Sequence, residues 1–140
     1  MDPIFNPAKI EDYQYIADLY NDPNNSRYLL RGFVTPAQLL KVAGRLDFIV
    51  KGWNNDTLGW VGLFPQKNDG TVRTALIVES HLHGQGLGKK FVDFAIREAA
   101  RLGYKRIELD VHEENAAAVH IYKKAGFKKQ HASVRYQKII

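Results

Sequence analysis

The run Ala75-Leu76-Ile77-Val78-Glu79-Ser80-His81-Leu82-His83-Gly84-Gln85-Gly86-Leu87-Gly88-Lys89 constrains this chain more than any other. Its first four residues are apolar and read as a buried strand. Glycines follow at 84, 86 and 88, and a helical pattern begins at Leu87. Strand, glycine-rich turn and helix N-terminus together make an anion site. The turn's backbone N–H groups are free, the missing side chains let a ligand approach, and the helix dipole adds partial positive charge. Residues 87–102 carry Leu87, Phe91, Ala95, Ile96, Ala99 and Leu102 on one helical face, and residues 106–112 then alternate polar and apolar. A strand, helix and strand in that order predict a right-handed crossover joining two parallel strands.

The rest of the pattern fills in a mixed sheet. Ile4-Phe5 reads as a short first strand between prolines, and residues 9–20 as a helix through Ile10, Tyr13, Ile16, Ala17 and Tyr20. Residues 21–25 read as a loop, and Tyr28-Leu29-Leu30 as an apolar segment. Thr35, Pro36 and Gln38 signal a helix start, with Leu39, Leu40, Val42, Ala43 and Leu46 as its buried face. Residues 48–53, 58–64 and 71–79 read as three meander strands, with turns at 54–56 and 67–70. Gly59 and Gly62 within the second of these signal a bulge or a close backbone approach. A helix over 115–125 stops at Gly126, and 127–131 with 133–140 close the chain as two antiparallel strands.

The length of 140 residues suits one domain. No apolar run reaches transmembrane length, and Met1-Asp2-Pro3-Ile4-Phe5-Asn6-Pro7 lacks a signal-peptide pattern, which fits a cytoplasmic protein. The absence of cysteine excludes disulfides and thiolate metal sites. A net charge of +5 is spread over the chain; its densest cluster is Lys123, Lys124, Lys128, Lys129, His131 and Arg135. With no aromatic-rich basic motif beside it, that cluster reads as a solvated face, not a nucleic-acid footprint. His81, His83 and His112 have no specific metal-ligand spacing, so no metal is expected.

The glycine turn fails the P-loop template, because position 83 is not glycine and Lys90 stands where a hydroxyl residue belongs. It fails the dinucleotide fingerprint at Lys89. His83-x-x-Gly86-x-Gly88 after an apolar strand resembles the acetyl-CoA signature of the GCN5-related N-acetyltransferase (GNAT) superfamily, Gln/Arg-x-x-Gly-x-Gly/Ala, with His83 departing from the usual first residue. Asn115 through Phe127 is similar to that family's downstream Asn-x-x-Ala-x-x-x-Tyr-x-x-x-Gly-Phe. The likeness covers residues 47–140 well; Asn21-Asp22-Pro23 with Arg27-Tyr28-Leu29 is similar to the ribosomal-protein N-terminal acetyltransferase branch.

The resemblance implies an α+β fold. Its central sheet is mixed and mostly antiparallel, strands four and five are parallel but splayed, and helices flank it. Acetyl-CoA would enter the splay as co-substrate, with its pantetheine on Ile77 and Val78 and its pyrophosphate on the amides of Gly84, Gln85, Gly86, Leu87, Gly88 and Lys89, where His83 could add a donor. Asn115 would cap its helix and touch the cofactor, and Tyr122 would be the general acid for the CoA thiolate. Glu79 is the expected base, with His112, Glu113 and Glu114 as rivals and base-free water chains known among members. The implied acceptor is a small-molecule amine, a peptide N-terminus or a lysine; a homodimer is compatible, and a membrane partner is not expected. A CoA-binding sensor without catalysis and a basic nucleic-acid binder are the alternatives from other classes.

Overall fold

The computed structural model describes residues 2–26, 32–66, 69–130 and 134–140. Seven strands form one sheet: β1 (Ile4–Pro7), β2 (Leu46–Lys51), β3 (Thr57–Pro65), β4 (Thr71–Val78), β5 (Arg106–Asp110), β6 (Lys128–Lys129) and β7 (Arg135–Ile139). Their order across the sheet is β1-β2-β3-β4-β5-β7-β6. All neighbours are antiparallel except β4 and β5, which are parallel. The helices are α1 (Tyr13–Asn21), α2 (Pro23–Ser26), α3 (Pro36–Leu40), α4 (Leu87–Arg101) and α5 (Ala116–Lys124).

Alternation of side chains sends each strand's apolar residues to both faces, so the sheet carries two cores. On one face Val61, Leu63, Val72 and Leu109 meet α4 through Phe91, Val92, Ala95 and Ala99, and α5 through Val119. On the other, Ile49, Trp60 and Ile77 meet α1 through Tyr13, Ile16, Ala17 and Tyr20. Both main helices on the first face stop the same way. After α4, Gly103 turns left-handed (φ 90°), Tyr104 N–H bonds back to the Ala99 carbonyl at 3.1 Å and Gly103 N–H to Ala100 at 3.0 Å. After α5, Gly126 (φ 96°) does so, with Phe127 N–H on Tyr122 and Gly126 N–H on Lys123, each at 3.0 Å. These pairs of bonds satisfy carbonyls that the helix end leaves open.

A charged group locks α1 to the second face. Asp47 is fully buried as a side chain and accepts from Tyr13 Oη (2.6 Å), Trp60 Nε1 (2.8 Å) and Arg45 Nε and Nη2 (2.6 and 2.8 Å). Arg45 also donates to the Leu39 carbonyl at 2.9 Å and lies over the Tyr13 and Phe64 rings. Burial and the neighbouring carboxylate push the Tyr13 phenol up to about 12.

The N-terminal half departs from the sequence pattern. The helix expected at 9–20 opens with a 3-10 turn, Ile10–Asp12, which leaves Ile10 77% exposed. The loop expected at 21–25 contains α2. The helix signalled at Thr35 forms with its capping bonds but ends after Leu40. Gly44 then turns the chain (φ 72°) and Leu46 already belongs to β2, so of the expected buried face only Leu39 is buried. Gly59 sits where the β2–β3 register shifts, and a Cβ there would collide with the Ile77 carbonyl and the Phe91 ring. Trp53 lies outside β2 and is 76% exposed. The fifth strand stops at Asp110, short of His112, and the closing strands are shorter than expected but antiparallel. Arg27, Tyr28-Leu29-Leu30, Lys67, Asn68, His131 and Ser133 lie outside the described residues. Among the described residues no helix is long and apolar enough to cross a membrane.

Candidate active site

Strands β4 and β5 pair only at Thr71↔Arg106, Val72↔Ile107 and Arg73↔Glu108. Beyond that point β4 stays with β3 as far as Val78, and β5 stays with β7 as far as Asp110. The fork begins at an ion pair: Arg73 Nη2 lies 3.0 Å from the mostly buried Glu108. Between the parted strands opens a cavity of about 640 Å³. Its lining draws on both cores, with Leu76, Val78, Ile121 and Tyr122 from the α4/α5 side and Ala75 and Ile77 from the α1 side. The cavity therefore reaches both faces of the sheet through the gap.

The backbone of β4 is aimed into this gap. Glu79 N–H bonds to the Leu58 carbonyl at 2.9 Å, which sets the antiparallel alternation. Residues 75 and 77 turn their N–H and C=O groups toward β3, and Thr74, Leu76 and Val78 turn theirs toward the gap. The Val78 carbonyl lies 3.0 Å from His83 Nε2. A carbonyl only accepts, so Nε2 carries the hydrogen.

The turn between β4 and α4 is built for close approach. A 3-10 turn, Ser80–Leu82, leads to His83; Gly84 and Gly86 then adopt φ of 82° and 81°, and Gly86 caps α4. Among the described residues no non-neighbouring atom lies within 4 Å of a Cβ built at either glycine, so conformation, not crowding, requires them. Gly88 differs, because a Cβ there would sit 3.1 Å from Ile121 Cδ1 where α4 meets α5. The first N–H groups of α4 have no partners within the helix and open at this turn. Of the residues expected to hold a cofactor, Ile77, Val78, His83, Gly84, Gly86, Leu87, Gly88 and Asn115 line the cavity. Gln85 and Lys89 do not, and Lys89 pairs with Asp93 at 2.9 Å.

Tyr122 enters the same cavity from α5. Its ring packs on Phe127 (centroids 6.0 Å apart) and its carbonyl accepts from Phe127 N–H. The spacing Tyr122-x-x-x-Gly126-Phe127 is thus a helix stop whose apolar contact fixes the tyrosine. Burial pushes the phenol up to about 12. Asn115 Oδ1 accepts from Ala118 N–H at 3.3 Å, so it caps α5 while lining the cavity.

The carboxylates separate by face. Glu79, expected within the strand, follows β4 and does not line the cavity; its Oε1 accepts from Tyr15 Oη of α1 at 2.7 Å. Glu113 is held by Lys129 at 2.7 Å and also meets Tyr136 Oη, and Lys129 keeps its carboxyl below the usual range. His112 Nδ1 accepts from Glu114 N–H at 3.1 Å, and Glu114 lines the cavity. Sequence reasoning missed Tyr15, Asn24, Asn25 and Asp110. The last three line the cavity, and Asp110 pairs with Arg135 at 2.9 Å. The short α2 that carries both asparagines has no periodicity to find it by.

A family model, Acetyltransferase (GNAT) family, matches residues 11–127. The chain is 34% identical over 83 residues to a probable spermine N(1)-acetyltransferase of Bacillus subtilis subsp. natto, covering 54% of this chain and 55% of that protein. It is 27% identical over 93 residues to the mycothiol acetyltransferase of Geodermatophilus obscurus, covering 61% of this chain and 30% of the other. The chain thus spans about half, or less, of the length of these curated relatives. A domain from Methanocaldococcus jannaschii superposes with a TM-score of 0.85 at 18% identity, covering 99% of both chains. Spermidine N-acetyltransferase from Vibrio cholerae, in complex with CoA and spermine, does so with a TM-score of 0.85 at 18% identity, covering 99% of this chain and 95% of that one. At such identity these structures speak to the fold alone. By its match over residues 11–127, the chain belongs to the acetyltransferase (GNAT) family.

Proposed function

We propose that this chain transfers the acetyl group of acetyl-CoA to a primary amine by direct attack. The observation that carries the reading is the forked β4–β5 cavity, with two left-handed glycines at one mouth and Tyr122 in its wall. An extended amide-bearing arm fits beside the outward-facing backbone of Leu76 and Val78, where it completes the bonds that β5 has left. The pyrophosphate fits the N–H groups from Gly84 to Lys89, where the α4 dipole favours negative charge.

In the reaction the amine nitrogen attacks the thioester carbonyl, the C–N bond forms, and the C–S bond breaks. Tyr122 faces the departing sulfur as the acid, because its phenol stays protonated at neutral pH. The amine loses its proton to Glu79, directly or through water. Glu79 is preferred to its rivals because Glu113 is committed to Lys129, while Glu114 lies beyond β5, across the gap from β4. The amine approaches from the α1/α2 face, past Asn24, Asn25 and Asp110. Among the described lining residues Asp110 and Glu114 are charged; Asp110 is paired with Arg135, so Glu114 is the one that attracts a cationic amine. That, with relatives named for spermine and spermidine, supports a small-molecule amine as acceptor. A peptide N-terminus, suggested by Asn21-Asp22-Pro23, is the second reading.

A thiol-release assay with acetyl-CoA, polyamines, other small amines and N-terminal peptides tests this. Release that depends on an amine is expected. Acetyl-CoA binding in calorimetry without release from any acceptor would point instead to a CoA sensor.

A further inference from the structure

The geometry assigns to Tyr15 the positioning of Glu79 for proton removal from the acceptor amine, an inference that rests on the acetyl-transfer reading. Tyr15 stands 64 residues from Glu79 in sequence, and its hydroxyl donates to Oε1 at 2.7 Å. The donor is itself fixed: Ile16, Ala17, Leu19 and Tyr20 of α1 are buried, and the Tyr15 ring packs against the same core.

Glu79's backbone is fixed from both sides. Its N–H bonds to the Leu58 carbonyl and its own carbonyl accepts from Leu82 N–H, each at 2.9 Å. Only the side-chain torsions remain to be set, and an unrestrained glutamate samples several rotamers. The single bond from Tyr15 selects one of them. It occupies Oε1 and leaves Oε2, which has no partner among the described residues, to accept the amine proton. Burial and the adjacent carboxylate raise the Tyr15 phenol far above its ordinary range, so it donates at every working pH and loses no proton itself. Alpha1 also leads directly into α2, whose Asn24 and Asn25 line the cavity on the amine's side. One helix pair thus shapes the acceptor entrance and orients the base.

The test is a double-mutant cycle on thiol release, using acetyl-CoA with spermidine and then the rest of the amine panel. Tyr15→Phe is expected to lower kcat about 10-fold and Glu79→Gln about 100-fold, with the double variant no slower than Glu79→Gln alone. KM for acetyl-CoA should not move in any of them. If Tyr15→Phe does not fold, Glu79→Asp breaks the same bond from the other side. It should cost about the same 10-fold, because the shortened side chain withdraws from an intact Tyr15. Full activity in Tyr15→Phe or Glu79→Asp, or multiplicative losses near 1,000-fold in the double variant, would overturn the assignment while leaving acetyl transfer intact. A wild type that binds acetyl-CoA but releases thiol with none of the amines would overturn the acetyl-transfer reading and this assignment together.

Discussion

Replacing Tyr122 by Phe removes one oxygen and leaves the ring in place against Phe127. Burial holds that phenol at about 12, whereas an ordinary thiol sits near ~8.5. Full proton transfer to a relaxed CoA thiolate is therefore uphill by about 5 kcal/mol, at roughly 1.36 kcal/mol for each tenfold step. In the proposed reaction Tyr122 would therefore act chiefly by donating a hydrogen bond to the charge that develops on sulfur. A hydrogen bond to a charged partner contributes about 1.5–3 kcal/mol, so Tyr122→Phe should lower kcat by about 10- to 150-fold. Complete general-acid catalysis would lose up to ~10⁴-fold. Thiol release gives kcat, and calorimetry with CoA gives the binding constant, which should stay unchanged. The sign of the pH effect follows from the raised value. The phenol remains protonated below about 12, so the wild type should show no fall in kcat from this group between pH ~7 and ~10. Unchanged kcat in Tyr122→Phe would refute the role. An alkaline fall near pH ~10 that disappears in Tyr122→Phe would refute the raised phenol.

Two further outcomes follow from the geometry. Gly86→Val forces a branched side chain into a left-handed φ of 81° and should abolish acetyl-CoA binding in calorimetry. Gly86→Ala should weaken binding less, and unchanged affinity in the valine variant would sink the phosphate cradle. Asp47→Ala strands the Arg45 guanidinium, whose side chain is 6% exposed, and should cost about 3–5 kcal/mol in urea unfolding. A loss below ~1 kcal/mol would mean that Arg45 reaches water instead.

The C-terminal half of this protein was legible because its signals are local. Apolar period, left-handed glycines and helix stops act within a few residues, so β4, the glycine turn, α4, β5 and α5 can be read in order. The Tyr122-to-Phe127 spacing is one such local device, a helix stop that also fixes a side chain. The N-terminal half misled where local spacing had no helix behind it. Leu40, Val42, Ala43 and Leu46 have the right intervals, but the chain turns at Gly44 and joins the sheet.

By itself the sequence determined a strand that ends in a glycine-rich turn, the helix that follows it, and the residues of both motifs. Only the tertiary structure decided where β4 and β5 part, since beyond Arg73 and Glu108 each keeps only its outer neighbour, β3 or β7. It also decided which carboxylate faces the α1 side, and that Tyr15 reaches Glu79. Such contacts join residues far apart in the chain, and no local pattern records them.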